Sequence, residues 1–281
     1  ERHRDDVAAL GEDLGAGDIT TNATVSADAC ATAKIVAKED VVVCGGGIWS
    51  EVMQRLAPES CSHWEAAPDG TLVAKGHRLA ALCGPARALL TGERVTMNLI
   101  CHLTGIATMT AKFVSTAGAL IILDTRKTTP LLRTFERHAV RCGGGHNHRT
   151  SLSDAVMVKD NHLAVLKDRG VSVTAALNGA IARLPHTTHV EVEVDRLDQL
   201  DAVLAAGVGT IMLDNFSLDD LRAGVQRIGG AAIVEASGGV SLEQVRAIAE
   251  TGVDVISVGA LTHSARALDL GLDIRVAASE A

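Results

Sequence analysis

Tyrosine is absent from the 281 residues, phenylalanine occurs three times and tryptophan twice. No tyrosine can therefore act as a catalytic acid, and the aromatic platforms on which single-stranded nucleic acid stacks are almost lacking. The six cysteines (30, 44, 61, 83, 101 and 142) form no CxxC pair and no cysteine–histidine zinc spacing. Scattered thiols in a chain of this size fit a reducing compartment better than a disulfide scaffold. No apolar run approaches the roughly 18 residues of a membrane span. The opening ERHRDDVAALGEDLG is too charged for a signal peptide. These absences lead us to expect a soluble cytoplasmic protein with neither a membrane nor a nucleic-acid partner.

What the chain does have is alanine and valine. They supply most of its 47% apolar content, which suits closely packed α/β layers. The length allows one large domain or two modest ones. Over residues 3–14 the apolar spacing predicts a helix that stops at Gly15 and Gly17. Strands are expected at 31–39, 41–44, 61–66 and 72–83, with a helix at 47–57 and a turn at APDGT (67–71). Pro85 suits the first residue of a helix, and two helices with a break near Gly105 should fill the chain to about residue 117.

From residue 120 short apolar strands alternate with helical patterns. The strands are expected at 120–124, 155–159, 189–194, 210–214, 231–235 and 254–258, and helices at 131–142, 173–183, 196–206, 217–228 and 241–251. The last four strands start 21–23 residues apart. Such repetition means parallel βα units, and its regularity favours a barrel over an open sheet. In such folds the ligand sits at the carboxyl ends of the strands. All six ends carry ionisable groups or glycine-rich turns: Asp124 to Lys127, Lys159 to His162, Glu193 to Asp195, Asp214-Asn215, Glu235 to Gly239, and Gly259-Ala260.

Charge is uneven along the chain. Residues 124–162 carry seven Lys/Arg against four acids, a balance of +3; the chain is −8, so the remainder sums to −11. A cationic island on an acidic protein points to a small anionic ligand or to a solvated helix face. Arg126 and Lys127 could grip a carboxylate or phosphate, or form an ordinary solvated loop. Three glycines (143–145) permit a sharp bend or a close approach to a ligand. His146-Asn147-His148 has metal-like spacing but no third ligand nearby. Glu193 and Asp214 are either solvated strand ends or, facing a polyanion, a pair bridged by Mg²⁺. The turns Ser237-Gly238-Gly239 and Gly259-Ala260 suit a phosphate group.

These motifs together resemble a known family. DTRKT (124–128), GGGHNHR (143–149), VKDNH (158–162), EVEVD (191–195), MLDNF (212–216), EASGGV (235–240) and VGALTHS (258–264) are similar to those of the quinolinate phosphoribosyltransferases of NAD biosynthesis. GDITT (17–21) and LLTGERVTMNL (89–99) extend the likeness towards the front. The resemblance implies an N-terminal α/β sandwich domain (1–105, with residues 266–281, helical, packed back on it) and an incomplete parallel α/β barrel of six to seven strands (106–265). It implies a homodimer with shared sites, Mg²⁺ as cofactor, and quinolinate and phosphoribosyl pyrophosphate as substrates.

By matching positions, Arg126, His148, Arg149 and Lys159 would line the quinolinate pocket, with Arg94 entering from the partner subunit. Lys127, Glu193 and Asp214 would face the ribose and pyrophosphate with Mg²⁺, held by the two acids through water. Ser237, Gly238, Gly239, Gly259 and His263 would surround the 5′-phosphate, and Lys159 is a candidate proton donor. Three positions depart from the pattern. Leu131 stands where the family usually has glycine, His138 replaces a common tyrosine, and His146 replaces a small residue.

Two other classes compete with this reading. A Schiff-base lyase would need Lys127 or Lys159 in an apolar pocket, whereas both lie among charges. A non-catalytic anion binder would have no use for Glu193 and Asp214 facing phosphate.

Overall fold

In the computed structural model, residues 2–58, 63–168 and 170–276 are described. They divide into two units: residues 1–111, 128–144 and 264–281, and residues 112–127 with 145–263. The 128–144 stretch, expected within the barrel portion, thus belongs to the first unit.

Alternation builds the first unit. Strand β1 (Cys30–Ala37) buries every second residue, Ala31, Ala33, Ile35 and Ala37, each at 1% exposure or less. It pairs antiparallel with β5 (Arg78–Pro85) and with β12 (Leu270–Val276). With β3 (His63–Ala66) they form a sheet of order β12-β1-β5-β3. The chain end therefore returns as a strand, not the expected helix. Cys61 and the first two residues of the strand expected at 61–66 lie outside the described residues. Residues 72–83 split into β4 (Leu72–Val73) and β5, because the chain turns at Gly76, whose φ is +82°. β2 (Val41–Val42) pairs with β4. Helices α1 (Arg2–Leu14), α2 (Ile19–Thr24) and α3 (Gly46–Leu56) complete the front, α2 capped by Asp18.

Pro85 closes β5 rather than opening a helix. The two expected helices are a single one, α4 (Ala86–Ala117), of 32 residues. Gly105 does not break it. A Cβ there would lie 2.0 Å from the Arg266 carbonyl oxygen, so its glycine serves the close approach of the returning chain. Leu268 N–H donates to the Cys101 carbonyl beside it. Gly143 likewise fits against α4, where a Cβ would lie 2.4 Å from the Ala107 carbonyl, while Gly144 turns the chain at φ +84°. No helix is long and apolar enough to cross a membrane among the described residues.

The second unit is a parallel sheet. It contains β6 (Ile121–Leu123), β7 (Val156–Val158), β8 (Val190–Val194), β9 (Thr210–Asp214), β10 (Ile233–Ser237) and β11 (Val255–Ser257), in the order β6-β11-β10-β9-β8-β7. β6 and β7 form its two edges, as an incomplete α/β barrel requires, and His146 adds a single parallel bridge outside β6 at Leu123. Between the strands run α6 (Asp160–Asp168), which was not expected, α7 (Val173–Ile181), α8 (Leu200–Leu204), α9 (Leu218–Ile228), α10 (Val245–Ala249) and α11 (Ala260–His263). β10 lies two residues later than the pattern predicts. Gly229 and Gly230 take left-handed conformations, and Ala231 N–H still closes the helix turn onto Ile228. Glu235 is consequently mid-strand, not a strand end.

The residue standing at the family's usual glycine, Leu131, takes φ +70° and is 82% exposed, in the segment before α5 (Arg133–Cys142). A left-handed backbone costs a residue with a Cβ about 1–2 kcal/mol, and an exposed leucine recovers little by burial. Leu131→Gly should raise the unfolding free energy by about 1 kcal/mol in urea titration. A loss of that size would show that the leucine side chain stabilises the loop.

Candidate active site

Period-two alternation decides which side chains share a face of the parallel sheet. Cross-strand register places Met157 beside Glu191, Glu193 beside Met212, Asp214 beside Ser237, Glu235 beside Met212 and Val255, and Ser257 beside Leu123. A cavity of about 290 Å³ opens at the carboxyl end of this face. Of the residues expected to bind ligand, Arg126, Lys127, His148, Arg149, Lys159, Glu193, Asp214 and Ser237 line it. Thr125, Met157, Met212 and Ser257 line it too and were missed. Counting two residues back from Lys159, Asp214 and Gly259 would have found Met157, Met212 and Ser257.

The cations are held by specific partners. Asp124, fully buried, accepts hydrogen bonds from the His148 backbone N–H (2.8 Å) and the Asn147 amide (2.5 Å). The acid read as a strand end is thus an anchor that fixes the GGGHNHR loop. Arg149 donates to the Ala155 carbonyl at 3.1 Å. Burial, and then neighbouring Arg126, lower its pKa, so a bound anion would relieve both effects. Lys127 is tied through its carbonyl, which accepts from Thr262 Oγ1 at 2.8 Å. Lys159 Nζ donates to Glu193 Oε2, a charge pair with Lys159 half-exposed and Glu193 mostly covered. Glu193 therefore already has a cation.

Beneath the cavity lies a buried charge cluster. His148 Nε2 is 3.1 Å from Glu191 Oε2 and 3.6 Å from Glu235 Oε1. Burial alone would lower the histidine pKa. The hydrogen bonds and charges of both carboxylates override that and raise it to about 10. The Arg149 backbone N–H lies 2.7 Å from Nδ1 and favours a neutral ring. Two full charges in a buried site outweigh one neutral hydrogen bond, so the imidazolium prevails. Glu191 is pushed above the ordinary carboxylate range by burial first, with Glu235 adding repulsion and His148 opposing. Glu191 Oε1 and Ser257 Oγ are buried without a hydrogen-bond partner among the described residues.

The remaining expected residues sit nearby or elsewhere. Gly238 has φ +93°, and a Cβ there would overlap Asn215, itself left-handed at φ +58°. Gly259 packs against the Lys127 stem and the His263 ring, which a Cβ would meet at 3.0 Å. Gly239, at φ +57°, has open space around it. Arg94 belongs to the first unit, is largely exposed and lies 4.0 Å from Glu93. It does not line this cavity.

Comparison with known proteins decides the lineage. Residues 18–104 match the model of the quinolinate phosphoribosyl transferase N-terminal domain, and residues 106–273 that of its C-terminal domain. The chain belongs to the quinolinate phosphoribosyltransferase family. It is 43% identical to the nicotinate-nucleotide pyrophosphorylase [carboxylating] of Mycobacterium leprae over 95% of this chain and 94% of that protein. It is 42% identical to a probable enzyme of that name from Bacillus subtilis, over 94% and 90%. NadC from Streptococcus pyogenes superposes with a TM-score of 0.91 at 38% identity, covering 98% of this chain and 96% of that one.

In this quinolinate phosphoribosyltransferase-family chain, two groups at or beneath the cavity could accept a cation. His148, Glu191 and Glu235 bring ligand atoms within 4.8 Å of one another, and Glu193 with Asp214 faces the cavity. The imidazolium reading makes the first a charge cluster, and stability tests it. His148 is protonated in the unfolded chain only below about 6.5 but in the folded chain up to about 10. Its contribution is full below pH 6.5 and is lost as pH rises through 10. The stability advantage of the wild type over His148→Asn should therefore shrink between pH 7 and 10. An advantage constant over that range would mean a neutral ring.

Proposed function

We propose that this chain transfers the phosphoribosyl group of phosphoribosyl pyrophosphate to the nitrogen of quinolinate, with decarboxylation, giving nicotinate mononucleotide, CO₂ and pyrophosphate. The observation that carries the reading is one cavity in which Arg126, His148, Arg149 and Lys159 gather beside Lys127, Glu193, Asp214 and Ser237. Four cationic groups suit a dicarboxylate; the remaining set suits a sugar diphosphate.

Arg126, Arg149 and Lys159 bind the two carboxylates and aim the ring nitrogen at C1 of the ribose. His148 offsets the two buried acids that would otherwise repel the same ligand. As the N–C1 bond forms and the bond to pyrophosphate breaks, positive charge develops on the ribose, and Glu193 stabilises it electrostatically. Lys127 offsets charge on the leaving pyrophosphate. When the carboxylate on the adjacent ring carbon leaves as CO₂, its electron pair stays on that carbon, stabilised by the cationic alkylated nitrogen beside it. The ring carbon takes a proton from Lys159 or water. Ser237 and the backbone N–H groups of Gly238, Gly239 and Gly259, with His263 beside them, receive the 5′-phosphate.

Mg²⁺ fits this site. Glu193 and Asp214 are hard oxygen donors; Lys159 takes Glu193 Oε2 and Asn215 takes Asp214 Oδ2 at 2.6 Å. One oxygen of each remains for ligation through water. When bound, Mg²⁺ would neutralise diphosphate charge. We further place the enzyme in the cytoplasm, where its thiol cysteines would stay reduced. Its working form is a homodimer in which Arg94, exposed on α4, completes the partner's pocket.

The test is release of CO₂ and pyrophosphate in equal amounts from quinolinate and phosphoribosyl pyrophosphate with Mg²⁺. Arg126→Ala should weaken quinolinate binding by about 2–5 kcal/mol and spare the diphosphate. The same assay on an equimolar mixture of inactive Arg94→Ala and Lys127→Ala should recover up to about a quarter of the sites. Pyrophosphate release without CO₂ would mean a different acceptor. No recovery after verified subunit exchange would place Arg94 outside the partner's pocket.

A further inference from the structure

The first unit holds a second cluster of reactive side chains that shares no residue with the cavity. Cys44, fully buried, follows β2 and precedes α3. Its backbone is pinned to Thr104, with N–H to Oγ1 at 3.3 Å and Oγ1 to the Cys44 carbonyl at 3.2 Å. Asp69 lies in the 67–71 turn, where Oδ1 accepts the backbone N–H groups of Gly45 and Gly46 at 3.0 and 3.1 Å. That double bond turns Oδ2 towards His138 Nε2, 2.7 Å away. His138 and Cys142 stand four residues apart on α5, hence on one helix face. Cys142 Sγ lies 3.4 Å from the same Nε2. Gly70 allows the turn to reach α5, since a Cβ at this φ +87° position would lie 3.2 Å from the Cys142 carbonyl oxygen.

Three chemistries use such residue types, and geometry separates them. A Cys-His-Asp triad needs the thiol on one ring nitrogen and the carboxylate on the other; here both face Nε2, so no proton relay runs through the ring. A Cys44–Cys142 disulfide would engage two of the four groups and leave the aimed carboxylate and imidazole without purpose. Convergence of all four on one point is what a metal ion demands. One donor atom from each residue lies within 4.8 Å of the other three. In a tetrahedral zinc site, bonds of about 2.0–2.3 Å put neighbouring donors about 3.3–3.8 Å apart. Forming the site thus draws the widest-spaced donors inward by about 1 Å and spreads Asp69 Oδ2 and His138 Nε2 from 2.7 Å.

We propose that Cys44, Asp69, His138 and Cys142 form a tetrahedral zinc site that clamps the loop between β2 and α3 and the 67–71 turn to α5. The donor set is soft sulfur and nitrogen with one carboxylate, which suits Zn²⁺ over Mg²⁺ or Ca²⁺. Four protein ligands leave no open position, so the site is structural. Two thiolates, a carboxylate and Zn²⁺ sum to −1. Arg141, whose guanidinium lies 3.4 Å from His138 Nδ1, stands ready to offset that charge; once Nδ1 carries the proton, its exposed side chain swings towards the carboxylate. Of the four ligands only His138 and Cys142 lie close in sequence. The other two ligands come from 98 and 73 residues before Cys142, which is why no zinc pattern shows in the sequence.

The test is cobalt titration of the full-length, metal-stripped protein under reducing conditions. One Co²⁺ per chain should give thiolate-to-cobalt charge-transfer absorption with the visible bands of tetrahedral cobalt, and Zn²⁺ should displace it. Cys142→Ser and His138→Tyr should each weaken binding at least tenfold, with folding checked by circular dichroism. Zn²⁺ should also raise the melting temperature of the wild type only. Absence of the charge-transfer band in the wild type overturns the proposal without any variant. So does an unchanged cobalt spectrum in folded Cys142→Ser, which would place the metal on other residues.

Discussion

A histidine wedged between two buried carboxylates sets the electrostatics of the whole barrel mouth. Glu191 and Glu235, at 3% and 2% exposure, would repel each other and any anion above them if nothing stood between. His148 Nε2 occupies that position, and the Asp124 carboxylate fixes it there by holding the backbone of the loop that carries it. The histidine thus offsets part of the charge below, while Arg126, Arg149 and Lys159, the last paired with Glu193, line the cavity above. Removing His148 would leave two carboxylates facing each other in a buried site, which is among the costlier changes a core can suffer.

The same partition explains how two acids can share the rim with cations. Glu193 is paired with Lys159, so the rim is not a bare acidic patch. Asp214 shares an oxygen with Asn215, whose left-handed backbone presses against Gly238. Gly238 is thus required twice, by its own φ and by the space Asn215 occupies. The glycine turn and the acidic strand end are one packed unit, not two separate features.

Much of this was legible in the sequence, for identifiable reasons. Strand ends are marked by an abrupt change from apolar to ionisable residues, so Lys159, Glu193 and Asp214 were readable at once. The barrel followed from regular spacing. What escaped was one layer deeper: Glu191, Met157 and Met212 sit inside apolar strands and show their role only when alternation is counted inward from the rim. Glu235 was misplaced because Ala231 and Ala232 look like strand residues, whereas the Ala231 N–H closes a turn onto Ile228 and the strand begins at Ile233. Glycines at 105 and 143 read as a break or a ligand approach. They are in fact contacts with chain segments distant in sequence, which no local pattern records. The zinc ligands, scattered over 98 residues, were illegible for that reason too.

A rim that presents cations for two carboxylates at once should discriminate between ligands by carboxylate number. Equilibrium binding of pyridine-2,3-dicarboxylate and of pyridine-3-carboxylate to the wild-type protein tests it most directly. Losing one side of a charge pair formed on binding costs about 2 kcal/mol or more, so the dicarboxylate should bind at least about thirtyfold tighter. Equal affinities would contradict the account, because the second carboxylate would then meet no charge that the barrel holds ready.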